Sequence, residues 1–582
     1  MSPARWSRAP EIFHVATLAG SFAFWAYLDR HLWFFDDDWQ FLVGRGLWYA
    51  PTDPRSIWYP HFEHWSTLPI LLWRGLYNVF HLSSYWPYLL PLLVTLAVVM
   101  HLLWRLCLRN GVDPWVATAA VGVLGFLGAG AEDLGWAFQI GFVGSLAFGL
   151  GAILLVDRPD PSPAQCALGS AAALAGVMCS TVGDAMQVAL AVVLVARGSG
   201  RRAFPVLALP ATSYALWWAV VGHLGLTLAG DHVRGSTLTD LPGYVWTGLS
   251  TALGRSFNLD AAGAALLVAL GAWALWHMRA LREGRPALIG LSAAALVFYI
   301  VVALGRDSAG DAGSTAPRYI YIGMALLLPA IACALGSLAS GATSLVAGRA
   351  APASGLGLAR GTVVVVLIAT GLGGAGEAET WTTARTALVQ GLHTEVSATA
   401  RLLASGVVDA TGPEAAPIGY SPDLTAAVLA RLGRSHLLGD AQLPVTALAN
   451  ARAMVAVGLT SQARFRGHFY LVSTQGVATW ATPAGCTTFS PRRAAVPGQV
   501  VLGTHAPVAS ARLLLAPPPP TILAMIGVLL APPQAPAGTV PAPLYPPAAG
   551  DYLEDNDARA GLVLQWATGT SLTLCGLGPK GA

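Results

Sequence analysis

Three consecutive aspartates, Asp36, Asp37 and Asp38, stand directly after a long apolar N-terminal segment and are followed by Trp39. Carboxylates at the edge of a bilayer lose part of their hydration and repel one another, so this cluster is costly unless a cation, a metal ion or a catalytic task compensates it. Aspartate can act as a general base, and it also caps helix N-termini. Because one cap needs only one aspartate, the sequence favours a catalytic role for Asp37 or Asp38, with Asp36 as a cap or supporting group.

A pair of histidines, His61 and His64, lies further along the same segment and flanks Glu63. On a helix, their spacing would place both imidazoles on one face, where together with Asp37 they could bind a divalent metal ion. Pro60 fits equally well with a turn, in which the histidines would hydrogen-bond a bound substrate. Both alternatives stay open, as does plain packing, because two histidines are too few ligands to define a metal site.

The elements that position these residues must be membrane helices. The chain has 582 residues, of which 55% are hydrophobic and 11% charged, against roughly 25% charged in a soluble domain. Its net charge of +3 comes from scattered basic residues, so no nucleic-acid partner is indicated. Hydropathy windows of about 20 residues predict about eleven spans: 12 to 34, 84 to 107, 114 to 130, 134 to 156, 165 to 180, 184 to 197, 203 to 222, 258 to 278, 286 to 304, 318 to 340 and 361 to 375.

The first span is not a cleavable signal peptide, because it is long, carries Asp29 and Arg30 near its end and lacks a small-residue cleavage site. Two shorter apolar stretches, 40 to 50 and 65 to 81, are predicted to lie as helices in the membrane interface. Arginines cluster in alternate loops, which places those loops in the cytoplasm. The aspartates and everything after about residue 376 then face outward, as in a multi-pass protein of a bacterial plasma membrane.

The second outward loop contains another carboxylate pair, Glu132 and Asp133, followed by Trp136 and Gln139. Carboxylate and amide groups bind hydroxyls directionally, so these side chains are candidates for binding a hydroxyl-rich ligand. Asp133 could alternatively cap the next helix.

Four short motifs and their order resemble the GT-C superfamily of polyprenyl-phosphate-sugar-dependent glycosyltransferases, and in particular poorly characterised actinobacterial members. The resemblance covers roughly residues 10 to 340. The motifs are Asp37-Asp38-Trp39, His61-Phe62-Glu63-His64-Trp65-Ser66, Trp136-Ala137-Phe138-Gln139-Ile140-Gly141 and Arg318-Tyr319.

This resemblance implies transfer of a sugar with inversion, which needs a carboxylate base for the acceptor hydroxyl and a cation or metal ion for the departing phosphate. The base would be Asp37 or Asp38. An arginine fork matches a phosphate, so Arg318 is the first candidate for the phosphate contact and Arg306 the second. Alternatively, Arg306 pairs with a nearby aspartate and Arg318 with an aspartate of the first loop. The substrate-binding set predicted in this way is Asp36, His61, His64, Trp65, Glu132, Asp133, Trp136, Gln139, Arg306, Arg318 and Tyr319.

The C-terminal part has short apolar runs between turn signals, which predict an extracytoplasmic β-sandwich over residues 451 to 582. A mixed connecting segment, 377 to 450, separates it from the membrane domain, 1 to 376. Cys486 and Cys575 are predicted to form a disulfide in this oxidising compartment. Such appended sandwiches resemble carbohydrate-binding modules, and candidate stacking residues are Trp480, Tyr545, Tyr552 and Trp566.

The sequence therefore predicts a membrane glycosyltransferase that moves a sugar from an outward-facing polyprenyl-phosphate donor to a cell-envelope glycan or a lipid-linked acceptor. No cofactor is required by the motifs, although a divalent metal ion stays open. Two alternatives are a transporter or flippase of lipid-linked sugars and a non-catalytic protein of polysaccharide assembly. A flippase would place ionisable residues at mid-membrane and show an inverted repeat.

Overall fold

A computed structural model gives the fold of most of the chain and shows a helical N-terminal part followed by a β-structured C-terminal part, which confirms the predicted fold class. It describes all residues except 1–7, 48–52, 54–55, 226–234, 307–310, 348–352, 407–422, 436, 439–442, 445–446, 449–450, 452–456, 461–468, 483–484, 492–497, 505–508, 517–525, 532–541, 545–551, 556–560, 567–570 and 579–582.

The helices are numbered here in chain order. They are α1 Ala9–Leu28, α2 Asp37–Trp39, α3 Thr67–Phe80, α4 Trp86–Arg109, α5 Pro114–Gly125, α6 Ala131–Gly135, α7 Ile140–Val156, α8 Pro163–Val177, α9 Val182–Ala196, α10 Gly200–Trp217, α11 Gly235–Ser256, α12 Gly263–Trp276, α13 Met278–Gly284, α14 Pro286–Arg306, α15 Asp311–Ser314, α16 Pro317–Ala347, α17 Ala353–Ser405 and α18 Ala426–Arg434.

Local sequence explains where several of these helices begin. The Asp113 carboxylate accepts hydrogen bonds from the first-turn N–H groups of α5. Ser162 and Gln165 form a capping box at the start of α8. In both helices a proline occupies one of the first two positions, where its missing N–H costs nothing. These starts agree with the sequence windows because capping residues and proline mark them locally.

Every predicted span coincides with a helix, and the chain is a multi-pass membrane protein. The count of clear spans is smaller than predicted. Among the described residues, six helices are long and apolar enough to cross a bilayer, or eight if each of two bent pairs forms one span. The six are Trp86–Arg109, Ala137–Val156, Phe204–Gly222, Pro286–Gly305, Pro317–Ser337 and Ala359–Ser405. One bent pair, Pro114–Gly125 with Gly128–Gly135, turns by 52°.

Two helices differ from the prediction. Helix α11 occupies the predicted outward loop 223 to 257, where polar residues and Pro242 lower the hydropathy. Gly248 lets it pack directly on the Tyr299 ring. Helix α17 is one continuous helix of 53 residues, about 80 Å long at 1.5 Å per residue. The sequence predicted instead a span over 361 to 375 and a separate helical stretch near 379 to 404 in the connecting segment. The sequence becomes more polar after residue 376, but the helix continues. The change in composition therefore marks a change in the surroundings of the helix and not its end.

The chain forms two compact units. The first comprises Met1–Leu32, Tyr49–Asn78 and Tyr85–Ala387, and the second comprises Trp33–Trp48, Val79–Ser84 and Leu388–Ala582. The aspartates of the first loop therefore belong to the same unit as the C-terminal part of the chain. The predicted domains were contiguous in sequence. The observed grouping differs because two short N-terminal segments, Trp33–Trp48 and Val79–Ser84, belong by their contacts to the C-terminal unit.

The C-terminal strands form two antiparallel sheets. The strands are β1 Val457–Thr460, β2 Phe469–Gln475, β3 Val477–Ala481, β4 Cys486–Pro491, β5 Gly498–Thr504, β6 Ala509–Ala516, β7 Ile526–Ala531, β8 Ala542–Leu544, β9 Tyr552–Asp555, β10 Gly561–Trp566 and β11 Ser571–Cys575. One sheet has the order β1-β9-β6-β11-β4-β3 and the other β2-β5-β10-β7-β8. The sequence predicts seven strands, near 453–458, 468–473, 500–503, 511–515, 523–529, 561–566 and 571–575. Each of them overlaps an observed strand, and β3, β4, β8 and β9 were not predicted.

A disulfide joins Cys486 to Cys575, which lie opposite each other on paired strands β4 and β11. This is the predicted pairing. The other four cysteines are buried as free thiols, as expected of small core residues.

Gly290 tests the close packing of α14 on α9. A Cβ at this position would lie 2.6 Å from the backbone oxygen of Ala189, so Gly290→Ala should destabilise the first unit by about 1–3 kcal/mol through overpacking. Gly271→Ala is the matched control, because a Cβ there meets nothing within 4 Å and alanine favours the helix. Thermal unfolding in detergent measures both. Equal unfolding temperatures for the two variants would contradict the close approach.

Candidate functional site

The three aspartates occupy different environments at the start of α2. Asp36 is exposed and has a positive φ of 49°, and its side chain makes no N-cap hydrogen bond. Asp37 is half-buried, and Asp38 is fully buried. The Asp38 Oδ2 accepts a hydrogen bond from the Phe35 N–H at 3.1 Å. Asp38 thus stabilises the turn, and Asp37 is the carboxylate better exposed to a substrate than Asp38.

Aromatic packing within the second unit holds this turn. Trp39 is fully buried and contacts the rings of Trp33 and Phe34. Trp33 in turn stacks on His393 of α17, with ring centroids 4.1 Å apart. The aspartates are therefore fixed to the part of α17 that follows residue 387.

A charge interaction anchors the helical segment that follows the aspartates. Arg45, in the π-helical segment Gln40–Leu47, is buried near Asp423. Burial raises the pKa of the Asp423 carboxyl, and Arg45 opposes that shift. The segment was predicted as an interfacial helix, and the structure places its basic residue against a carboxylate within the second unit.

The histidine pair forms a tight turn and not a helix. His61 and His64 exchange two backbone hydrogen bonds, of 3.0 and 2.9 Å, and Phe62 between them has a φ of 49°. The His64 Nδ1 lies 3.0 Å from the Thr181 hydroxyl, and its Nε2 lies 3.6 Å from Glu63. Of the two predicted geometries, the turn is the one observed. Among the described residues, no group of three or more His, Cys, Asp or Glu side chains is placed to hold a metal ion.

Trp65 belongs to the packing behind this turn. Its ring is buried and lies parallel to that of Trp217, with centroids 5.2 Å apart. Its indole N–H donates to the Thr67 hydroxyl at 2.8 Å. Contact of this ring with a sugar, as predicted, would require the two tryptophans to separate.

An ion pair lies at the start of α16. The Arg318 Nη1 lies 2.5 Å from the Glu132 Oε1, and the Gln139 amide also donates to Glu132, at 3.4 Å. Arg318 keeps 32% of its side-chain surface exposed, whereas Glu132 keeps 12%. The Tyr319 ring is buried beside the guanidinium, 5.1 Å from ring centroid to Cζ. The predicted pairing of Arg318 with a carboxylate is thus observed, but the partner is Glu132 of the second loop.

Asp133 lies deeper than Glu132. Its side chain is completely buried, and neither carboxylate oxygen has a hydrogen-bond partner among the described residues. It lies within helix α6 and does not cap α7, whose N-cap is Gln139. The buried Tyr321 hydroxyl, which also has no partner in the described part of the chain, lies close enough to interact with Asp133. A buried carboxylate and hydroxyl that have no hydrogen-bond partner among the described residues can bind water or a hydroxyl-bearing group.

Other predicted residues contribute in different ways. Arg306 ends helix α14, and its side chain lies outside the described residues. Trp136 is buried and packs on the Phe138 ring and on Arg385. In the β-structured part, Trp480 is exposed on the edge strand β3. Of the other proposed stacking residues, Tyr545 and the side chains of Tyr552 and Trp566 lie outside the described residues.

Sequence reasoning missed several residues close to these groups. Tyr321, one turn after Arg318, reads as an ordinary aromatic residue of a span. Asp29 and Arg385 are both buried. Asp29 gave a signal, since a carboxylate inside an apolar segment is costly and unusual. Arg385 gave none, because it lies in a stretch of ordinary helical composition.

Comparison with known proteins yields solved structures alone, since no family model and no curated protein matches. ArnT from Cupriavidus metallidurans, solved with undecaprenyl phosphate, is 16% identical, with a TM-score of 0.45 over 74% of this chain and 85% of ArnT. The archaeal oligosaccharyltransferase AglB from Archaeoglobus fulgidus, solved with an inhibitory peptide and a dolichol-phosphate, is 12% identical, with a TM-score of 0.37 over 64% of this chain and 56% of AglB. At such low similarity, neither protein assigns a role to any residue of this chain.

The Glu132–Arg318 pair should be strongly coupled. Removing one partner leaves the other charge partly buried, so Glu132→Gln and Arg318→Gln should each destabilise, while the double variant loses less than their sum. We expect a coupling of about 1–3 kcal/mol from thermal or denaturant unfolding of the four proteins. The exposed pair Arg279–Glu283 is the control and should show a coupling below about 0.5 kcal/mol. Equal couplings for the two pairs would show that Glu132 and Arg318 do not form the observed ion pair.

Proposed function

We propose that this protein is a membrane glycosyltransferase that moves a sugar from a polyprenyl-phosphate donor to a cell-envelope glycan or glycolipid. The observation that carries the proposal is the partly exposed guanidinium of Arg318, held by Glu132 at the N-terminus of α16. The positive end of the helix dipole and the planar arginine fork both favour a phosphate at this position. Without substrate, the arginine is paired with a carboxylate of the same site. A substrate phosphate can then replace this carboxylate as the partner of the arginine.

The segment of three aspartates, Asp36 to Asp38, is called the acid segment here. It would supply the second requirement of the reaction, a general base. The Asp37 carboxylate takes the proton of the acceptor hydroxyl while the acceptor oxygen forms a bond to the anomeric carbon. The bond from that carbon to the phosphate oxygen breaks, and the lipid phosphate leaves with the electron pair. Arg318 stabilises the charge that develops on this phosphate. Asp38 supports Asp37 by fixing the turn through the Phe35 N–H.

The remaining predicted residues would surround the sugar. Gln139 and Glu132, which already contact each other, offer directional partners for sugar hydroxyls. The turn at His61 and His64 would contact the acceptor or the lipid phosphate. The reaction would take place at the extracytoplasmic face, with the C-terminal sheets on the same side and Trp480 available for a glycan.

Transfer assays with the acid segment test this proposal. Membranes containing wild type, Asp37→Asn or Asp38→Asn receive radiolabelled polyprenyl-phosphate sugars, and incorporation into glycan and glycolipid is counted. Loss of a general base should lower the rate of Asp37→Asn by about 10²-fold or more without lowering the unfolding temperature. Asp38→Asn should lower both the rate and the unfolding temperature, because the Phe35 N–H loses its charged acceptor.

Asp240→Asn is the matched control, since Asp240 is exposed on α11, and it should retain the wild-type rate. Full activity of both Asp37→Asn and Asp38→Asn would remove the catalytic role of the segment. Movement of the labelled lipid across the membrane without any transfer would instead identify a flippase.

A further inference from the structure

The buried carboxylate of Asp29 has no task in the reaction proposed above. Asp29 follows the last residue of α1 and is 2% exposed. Both of its oxygens are buried without a hydrogen-bond partner in the described part of the chain. A carboxylate in such a place is costly unless a cation compensates it.

The guanidinium of Arg385 on α17 interacts electrostatically with Asp29 and offsets part of the cost of burying this carboxylate. Arg385 is itself buried between two indole rings. Its Cζ lies 5.0 Å from the ring centroid of Trp136 and 4.4 Å from that of Trp381. A desolvated cation is attracted by the negative face of an aromatic ring, so this arrangement connects α17 to Trp136.

The same loop also touches Asp29 directly. A Cβ on Gly135 would lie 2.9 Å from each carboxylate oxygen of Asp29, so only glycine allows this approach. Asp29 and Arg385 therefore contact two consecutive residues, Gly135 and Trp136. Gly135 is the last residue of α6, the short helix that carries Glu132 and Asp133, and Trp136 follows it.

We propose that Asp29 and Arg385 are positioning residues that fix α6 so that the carboxylate of Glu132 meets Arg318. The catalytic consequence of this placement rests on the function proposed above, whereas the placement itself does not. The segment from Phe126 to Trp136 is bent and made of short helical pieces. Such a segment has few intrahelical hydrogen bonds to define its position, so it depends on contacts from neighbouring helices.

The direct test measures the coupling between Glu132 and Arg318 in a second background. The four-protein unfolding cycle is repeated with Asp29→Asn, which keeps the shape of the side chain and removes its charge. We expect the coupling to fall by at least half, because Glu132 no longer meets Arg318 in one fixed geometry. The control background is Asp157→Asn, which breaks the ion pair of Asp157 with Arg197 at the C-terminal ends of α7 and α9, and it should leave the coupling unchanged.

Arg385→Gln and Gly135→Ala give two further backgrounds that should reproduce the effect of Asp29→Asn. If a triple variant is too unstable to purify, hydrogen exchange of amides 128–139 in the single variant replaces the cycle. That exchange should be about fivefold faster than in wild type, as expected for loss of one buried charge interaction. The amides of α8 should not change.

An unchanged coupling, or unchanged exchange at 128–139, in both Asp29→Asn and Arg385→Gln would overturn the proposal. A merely stabilising role would lower the unfolding temperature and leave the coupling intact, which is also a refutation. No substrate is present in these measurements. Failure of the glycosyltransferase proposal would therefore appear only in the transfer assay, and failure of the positioning role only here.

Discussion

The ion pair between Glu132 and Arg318 is the interaction on which the candidate site depends. It joins the N-terminal end of α16 to the bent segment that follows α5. The arginine keeps about a third of its surface exposed, so a ligand can reach it, while the carboxylate is the more buried partner. Such an ion pair allows a phosphate to replace the carboxylate. The incoming phosphate competes with only one carboxylate, and the arginine guanidinium that it binds is already oriented.

The position of the Glu132 carboxylate is set by residues that do not touch Arg318. Gly135, Trp136, Asp29 and Arg385 hold the end of α6, and Gln139 donates to Glu132 from the other side. The acid segment has an equivalent support in its own unit, where Trp33, Trp39 and His393 fix the turn and Asp38 closes it. In both places, buried aromatic rings and one internal hydrogen bond or charge contact hold a carboxylate in a defined orientation.

The sequence was sufficient for elements with strong local signals. Apolar windows predicted the membrane helices, turn signals predicted seven strands, and the outward, oxidising location predicted the Cys486–Cys575 pair. It failed where position depends on contacts distant in sequence. Helix α11 was missed because its polar residues lower the hydropathy of a helix that is packed against others. The partner of Arg318 was placed on the wrong loop because 186 positions separate Arg318 from Glu132. Arg385 gave no local signal, since its function follows only from the rings and the carboxylate around it.

The three aspartates show the same limit at close range. Their order in the sequence does not distinguish them, so the sequence predicts Asp37 or Asp38 as the base without choosing between the two. The structure separates them by burial and by one hydrogen bond, from the Phe35 N–H to Asp38. A base must reach its substrate, so the accessible Asp37 is the better candidate, and Asp38 is a support that a sequence motif alone does not reveal.

Binding of a polyprenyl phosphate to the purified protein in nanodiscs tests the central claim most directly. With Arg318 as the phosphate ligand, Arg318→Gln should weaken binding by about tenfold or more. Glu132→Gln should preserve or tighten it, because the competing carboxylate is gone. Equal affinities of wild type and Arg318→Gln, or weakening by Glu132→Gln as large as that by Arg318→Gln, would contradict the claim.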